Sequence, residues 1–197
     1  MFRGVLKNLT LRRTADKLTP GKTTTLAGVW GSSAALIAAA LGKIRRAPVL
    51  YVALHPDDAD DVADDMEVFS GSAVQLFPAW EADVSADHVN DEVVGERLRV
   101  CSLLREPPDE RDEPVDLLVA PVMALLQPVP TPEALEAAGL TLLRGAGLSP
   151  EALCEWLIEA GFERTEQVDQ QGEFARRGGI VDVFCAGMTE AVRVEFF

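Results

Sequence analysis

The segment GVWGSSAAL, which begins at Gly28, is the part of the chain that comes nearest to a chemical motif. A working phosphate-binding loop reads GxxxxGK[ST]; its lysine bridges the β and γ phosphates and its hydroxyl binds magnesium. Gly28 occupies the first glycine position and Gly31 a small-residue position, whereas Ser33, Ala34 and Ala35 stand at the second glycine, the lysine and the hydroxyl positions. We therefore expect the outline of the loop without its chemistry, and no ATP hydrolysis. A Gly-Ser turn into a helix remains the alternative interpretation.

No other segment marks a catalytic or metal site. The two histidines, His55 and His88, belong to no Ser-His-Asp or Cys-His arrangement. His88 and Glu92 are four residues apart, but no third ligand follows at a suitable spacing. The three cysteines never form a CxxC pair, which indicates reduced thiols. We predict no catalytic residue, no metal and no cofactor for this chain.

The elements that must position the loop alternate between β-rich and helical runs, as in an α/β fold with a parallel sheet. The predicted strands are Thr23–Val29, Val49–Leu54, Ala73–Phe77 and Asp116–Val122, and the predicted helices are Ser32–Ile44, a helix from Pro56 and Glu92–Arg105. This order predicts a P-loop-NTPase-like domain with a degenerate phosphate loop.

Prolines in LLQPVPTP end this alternation and predict a domain boundary near Gln127. Residues 1–126 form the α/β domain in this interpretation, and residues 127–197 form a small α+β domain. The second domain is predicted to contain a helix that begins at Pro150 after Ser149, followed by short strands. Because the sequence ends on the apolar run VRVEFF, we expect a fragment or a truncated product of a longer protein.

The net charge and the apolar runs of the sequence argue against DNA binding and membrane insertion. The formal net charge is −14, and a chain this acidic is expected to be a poor binder of DNA by itself. No apolar run approaches the roughly 20 residues that a membrane-spanning helix needs, and no secretory signal is evident. We expect a cytoplasmic protein that does not bind membranes.

The segment GFERTEQVDQQGEFARRGG is the second candidate site. It brings Arg164, Arg176 and Arg177 together with Phe174, a composition that is common at interaction hot spots. The alternative is that Phe174 belongs to the core and that the arginines pair with nearby carboxylates.

Several segments together resemble the N-terminal, UvrB-like region of bacterial transcription-repair coupling factors. In chain order they are GVWGSSAAL, LFPAWE, GERLRVCSLL, LLVAPVMALLQPVP, GFERTEQVDQQGEFARRGGIVDVF and VRVEFF, within Thr23–Phe197. The resemblance implies that residues 1–126 correspond to UvrB-like domain 1a and residues 127–197 to a UvrB interaction domain that binds UvrA. In this family the module recruits UvrA to stalled RNA polymerase, whereas a separate motor uses ATP and Mg on DNA. RNA polymerase and DNA would then be partners only through parts absent from this sequence.

The same resemblance implies which residues face UvrA. Arg164 and Arg177 match the family's arginines and Phe174 matches the aromatic residue between them, whereas Arg176 stands where the family varies. A UvrB-type ATP-dependent helicase domain is the rival interpretation. UvrB keeps the lysine and threonine of its phosphate loop and has a tyrosine-rich hairpin, whereas this sequence has no tyrosine between Trp80 and Glu96. A truncated product without activity is the third possibility.

Overall fold

A computed structural model describes residues 2–80, 91–109 and 115–197 of the chain. It divides into two compact units: unit 1 comprises Met1–Trp80 and Glu106–Pro128, and unit 2 comprises Glu81–Arg105 and Val129–Phe197. The units are therefore not two consecutive stretches that meet at Gln127, since a segment from the middle of the chain belongs with unit 2.

The elements follow in chain order. They are α1 (Phe2–Val5), α2 (Leu9–Lys17), α3 (Ser33–Arg45), β1 (Val49–Ala53), α4 (Pro56–Ser70), β2 (Gln75–Leu76), α5 (Asp91–Arg105), β3 (Leu117–Pro121), α6 (Val122–Leu126), α7 (Pro132–Ala138), α8 (Pro150–Glu159), β4 (Glu163–Arg164), β5 (Glu173–Arg177), β6 (Ile180–Val183) and β7 (Val192–Glu195).

Unit 1 is built on a parallel three-stranded sheet in the order β1-β3-β2. Helices α3 and α4 pack against it and against each other. The core between them contains Ala35 and Ala39 of α3, Met66 of α4 and Val119 of β3. Alanines four residues apart lie on one helical face and leave room for the neighbouring helix to come close. The prediction of a mixed α/β fold with a parallel sheet is confirmed.

The predicted first strand over Thr23–Val29 is wrong. These residues form no strand, most of them are exposed, and the sheet begins at β1. The β-branched threonines of this segment favour a strand locally, but a strand also needs a neighbour to pair with. In the unit 1 sheet, β1, β3 and β2 pair with one another and not with this segment.

Unit 2 contains a four-stranded sheet in the order β4-β5-β6-β7. The β4–β5 pair is parallel and the other two pairs are antiparallel. Helix α8 begins as predicted, because the Ser149 hydroxyl accepts a hydrogen bond from the Ala152 N–H at 3.1 Å and Pro150 takes the first helical position. Its buried side chains, Leu153 and Leu157 among them, form a core with the sheet.

Helix α5 packs in unit 2 through a close approach of two glycines. A Cβ atom on Gly95 would lie 2.8 Å from the Gly187 nitrogen, and one on Gly187 would lie 2.7 Å from the Gly95 oxygen. The Gln171 side chain holds the loop around Gly187, since it donates to the Met188 carbonyl at 2.9 Å and accepts from the Gly187 N–H at 3.3 Å. Only glycine at position 95 lets α5 and this loop touch backbone to backbone.

We expect Gly95→Ala to destabilise unit 2 by about 1–3 kcal/mol, as overpacking does. In a helix without this contact, alanine would instead stabilise the protein by about 1 kcal/mol relative to glycine. A loss of stability would therefore show that the added Cβ atom clashes with the loop around Gly187. Gly4→Ala in α1 is the matched control, because its Cβ would meet nothing within 4 Å. Chemical denaturation measures both variants, and a Gly95→Ala protein as stable as the Gly4→Ala protein would contradict this packing.

Candidate functional site

The two faces of the unit 2 sheet differ in what they carry. Phe174, Val181 and Val183 point to α8, and Phe174 is 0% exposed. Because side chains alternate along a strand, the next residues point the other way. We call this second face the outer face and define it by Arg177 of β5, Ile180 and Asp182 of β6, and Arg193 and Glu195 of β7.

Asp182 and Arg193 form an ion pair on the outer face. They are aligned across β6 and β7, and the guanidinium donates to both carboxylate oxygens, with Nε to Oδ1 at 2.7 Å and Nη2 to Oδ2 at 3.0 Å. The hydrogen bond from Arg193 is the main reason that the pKa of Asp182 is lowered, and the charges of Arg193 and Arg177 add to it. This fork fixes the orientation of the Arg193 guanidinium.

Arg177 is placed by a tight hairpin turn. It is aligned with Ile180, so the turn has two central residues, Gly178 and Gly179. Gly178 has a φ of +63°, a conformation that glycine adopts readily. The exposed Arg177 side chain donates from Nη2 to the Glu166 carbonyl at 3.1 Å.

A shallow cleft lies beside the Arg177 side chain on the outer face. It is lined by Gln167, Val168, Arg177, Asp182, Ala191 and Arg193. The outer face therefore offers the Arg177 guanidinium to the carboxylates of a protein partner, whereas the Arg193 guanidinium beside the same recess is already paired with Asp182.

The other predicted site residues do not join the outer face. Phe174 lies in the core, so the expectation that it faces UvrA beside the arginines is wrong. Arg176 points to the helix side of the sheet, where Nη2 pairs with the Glu151 carboxylate and Nε donates to the Gly178 carbonyl at 3.0 Å. Arg164 is exposed on the edge strand β4 and is aligned with Phe174, not with Arg177. The sequence alternative that Phe174 is core is confirmed. Arg176 does pair with a carboxylate, but with Glu151 of α8 and not with one of the nearby carboxylates that the sequence suggested, namely Glu163, Glu166, Glu173 or Asp182.

Sequence reasoning did not single out Arg193. Its signal was present in VRVE, where a basic and an acidic residue alternate with valines as in a half-buried strand. Its importance becomes visible only when the β6–β7 register sets it beside Asp182.

The segment predicted as a degenerate phosphate loop forms a turn in unit 1 that is closed by its own hydrogen bonds, and residues 23–29 before it form no strand. The Ser33 hydroxyl accepts from the Trp30 N–H at 3.0 Å and donates to the Trp30 carbonyl at 2.6 Å. The Ser33 N–H donates to the Trp30 carbonyl and the Ala34 N–H to the Gly31 carbonyl. The backbone N–H groups of Trp30, Ser33 and Ala34 are thus already occupied, whereas a working loop leaves such groups to a phosphate.

The side chains of the loop do not fit a bound nucleotide either. Gly28 and Gly31 have positive φ, as turns require, but Ala34 offers no ammonium and Ala35 is 0% exposed in the core of unit 1. The segment therefore contributes a turn and the start of α3, and no ligand for phosphate or magnesium.

Two other kinds of function, metal binding and membrane insertion, each need a structural feature that the described residues do not show. Within residues 2–80, 91–109 and 115–197, no three His, Cys, Asp or Glu side chains come together in a way that could hold a metal ion. Over the same ranges, no helix has the length and apolar content to cross a bilayer. His88 lies outside the described residues, as does most of the segment between Trp80 and Glu96 in which tyrosines are missing.

Comparison with known proteins gives a family match to part of unit 2. Residues 140–197 match the UvrB interaction domain. This range holds α8, the four strands of the unit 2 sheet and the whole outer face.

Longer similarities extend over both units. The chain is 36% identical over 169 residues to a transcription-repair-coupling factor of Mycobacterium tuberculosis, covering 84% of this chain and 13% of that protein. It is 29% identical over 174 residues to the transcription-repair-coupling factor of Bacillus subtilis, covering 87% and 14%. It is 25% identical over 187 residues to UvrABC system protein B of Treponema denticola, covering 87% and 27%. The chain thus spans only a small part of the curated relatives that it matches.

The Asp182–Arg193 pair predicts a pH dependence. Because folding lowers the pKa of Asp182, the pair stabilises the fold above the ordinary aspartate pKa of about 4 and loses this contribution as the pH falls through the lowered value. Asp182→Asn should therefore lower the unfolding temperature slightly at pH 7 and leave it unchanged in stronger acid. Asp109→Asn, at an exposed loop position in unit 1, is the control. Thermal unfolding from pH 7 to pH 2 tests this; an Asp182→Asn deficit that stays constant would contradict it.

Proposed function

We propose that this chain, which is related to the transcription-repair-coupling factors over most of its length and contains a UvrB interaction domain at residues 140–197, is a non-catalytic module that binds UvrA. The family resemblance predicted from the sequence is confirmed. A role in transcription-coupled nucleotide excision repair is part of our proposal and is supported by the names of these relatives. Recruitment of UvrA to stalled RNA polymerase, and contact with the polymerase itself, would use parts of the longer relatives that this segment does not span.

The outer face of the unit 2 sheet is the observation that supports this proposal. It lies within the matched domain and exposes the guanidinium of Arg177, while Arg193 is held in a fixed orientation by Asp182. Guanidinium groups form forked hydrogen bonds with carboxylates, and arginine is enriched at interaction hot spots. The partner that this face fits is a protein surface that presents carboxylates to Arg177, and UvrA is our candidate.

Arg164 enters the same proposal with a different place on the surface. It is exposed at the sheet edge on β4, and its side chain makes no hydrogen bond or ion pair with the described residues. A partner that covers both arginines would have to reach around the β4 edge of the sheet. Phe174 supports such a surface from within, because its burial fixes the strand that carries Arg177.

Unit 1 in our proposal is a phosphate-loop domain that no longer hydrolyses ATP. The two alanines at the reactive positions and the self-satisfied loop support this interpretation over a UvrB-type ATPase. The chain spans only 13% of the Mycobacterium tuberculosis relative and 14% of the Bacillus subtilis relative.

We expect Arg177→Ala to weaken binding of UvrA by about tenfold or more, because a buried guanidinium–carboxylate contact would be lost. Isothermal titration of the 197-residue chain with UvrA measures this. Arg105→Ala is the matched control, since Arg105 is exposed at the end of α5 and does not line the cleft beside Arg177. Circular dichroism of each variant verifies folding.

The same titration separates the two arginines. If Arg164→Ala also weakens binding, the partner reaches around the β4 edge; if only Arg177→Ala does, it stays on the outer face. Binding of UvrA that both variants retain at full strength would refute this surface, and no binding by the folded chain would refute the adaptor function for this segment.

We expect the purified chain to show no ATP turnover with magnesium, because neither an ammonium nor a hydroxyl stands at positions 34 and 35. A coupled phosphate-release assay at increasing chain concentration tests this. Turnover that rises in proportion to the chain and is unchanged in Ser33→Ala would place an ATPase site elsewhere, whereas turnover lost in Ser33→Ala would place it in the loop.

A further inference from the structure

The charges of this chain are strongly segregated along the sequence. Residues 1–46 contain nine of the 18 Lys and Arg residues but one of the 32 Asp and Glu residues, Asp16. Residues 47–197 contain the other nine basic residues and 31 acidic ones. The formal charges are +8 and −22, so the net charge of −14 averages two opposite halves.

All nine basic side chains of residues 1–46 are exposed, and none forms an ion pair with any described residue. We call their surface the basic face. Its nine members are Arg3, Lys7, Arg12, Arg13, Lys17, Lys22, Lys43, Arg45 and Arg46.

The elements that carry the basic face are packed together in unit 1. Helices α1 and α2 both contact α3. The Arg12 guanidinium donates to the Leu6 carbonyl at 2.9 Å, which ties the start of α2 to the end of α1. Leu11 and Ala15 are the buried residues of α2, so Arg13 and Lys17, four residues apart, share an exposed side of that helix.

A cleft of about 380 Å³ lies within the same surface. Its lining includes two cations, two hydroxyl groups and one carboxylate: Lys43 and Arg46 at the end of α3, Ser70 at the end of α4, Ser72 beyond it, and Asp116 before β3. Cations beside hydroxyl groups suit a phosphate group, whereas the Asp116 carboxylate opposes one. The cleft therefore has a formal charge of +1 and adds only a weak phosphate site to the electropositive surface.

We propose that the basic face binds the phosphodiester backbone of double-stranded DNA. Unpaired cations spread over three helices neutralise a line of phosphates better than they recognise a single small anion. Phe2 is the only aromatic residue of these helices and is half-buried, which disfavours the base stacking used for single strands. The expectation of poor DNA binding rested on the net charge, which conceals this surface.

The test is fluorescence anisotropy of a short labelled duplex with the 197-residue chain, between about 50 and 200 mM salt. The variant Arg13→Gln/Lys17→Gln removes two cations from the basic face. The matched control, Arg105→Gln/Arg144→Gln, removes two exposed cations of unit 2 and changes the net charge equally. Circular dichroism of both verifies folding.

We expect the wild-type affinity to fall steeply with salt, and the basic-face variant to bind about tenfold more weakly with a salt slope reduced by about 1–2. The control should bind as the wild type does. No binding at the lowest salt, or an equal loss in both variants, overturns the proposal. Salt-sensitive self-association that the basic-face variant abolishes, without DNA binding, would assign the basic face to the acidic surface of a second copy instead.

Discussion

Burial of one face of the unit 2 sheet against α8 is the constraint on which the candidate partner surface depends. Phe174, Val181 and Val183 must point toward the helix to form the core. Since side chains alternate along a strand, this fixes Arg177 and Asp182 on the opposite face without any contribution from a partner. A slip of one residue in this register would bury a guanidinium and expose a phenyl ring, so the core and the outer face specify each other.

The turn before α3 satisfies backbone N–H groups that the start of a helix leaves without partners inside the helix. The Ser33 hydroxyl and the carbonyls of Trp30 and Gly31 accept from the N–H groups of Trp30, Ser33 and Ala34. The exposed indole of Trp30, 83% accessible, lies at this turn with no core to fill. In our proposal this turn is a degenerate phosphate loop, and a lysine at position 34 would not by itself create a phosphate site, because these donors are already occupied.

Local signals in the sequence predicted the four longer helices α3, α4, α5 and α8, but not α1, α2, α6 or α7, and they predicted the site only in part. Periodicity and caps placed α3, α4 and α8, since Ser149 and Pro150 define a helix start through short-range contacts. Thr23–Val29 was mistaken for a strand because pairing is a long-range property that threonines cannot reveal. The place of Phe174 depended on which phase of the strand faces α8, and Arg193 gains its partner only through the β6–β7 register.

Charge segregation within unit 1 depends on α3, which lies between helices of opposite charge. The alanines of α3 let α4 pack closely, and α4 carries acidic residues so crowded that burial and the neighbouring Asp57, Asp64 and Asp61 raise the pKa of Asp60. Helix α2, with Arg13 and Lys17, contacts α3 as well. A polyanion is repelled where it approaches α4 and attracted where it approaches α1 and α2. The electric field of unit 1 therefore orients an approaching polyanion before any contact forms. A protein of the same net charge whose acidic residues were spread uniformly could not do this.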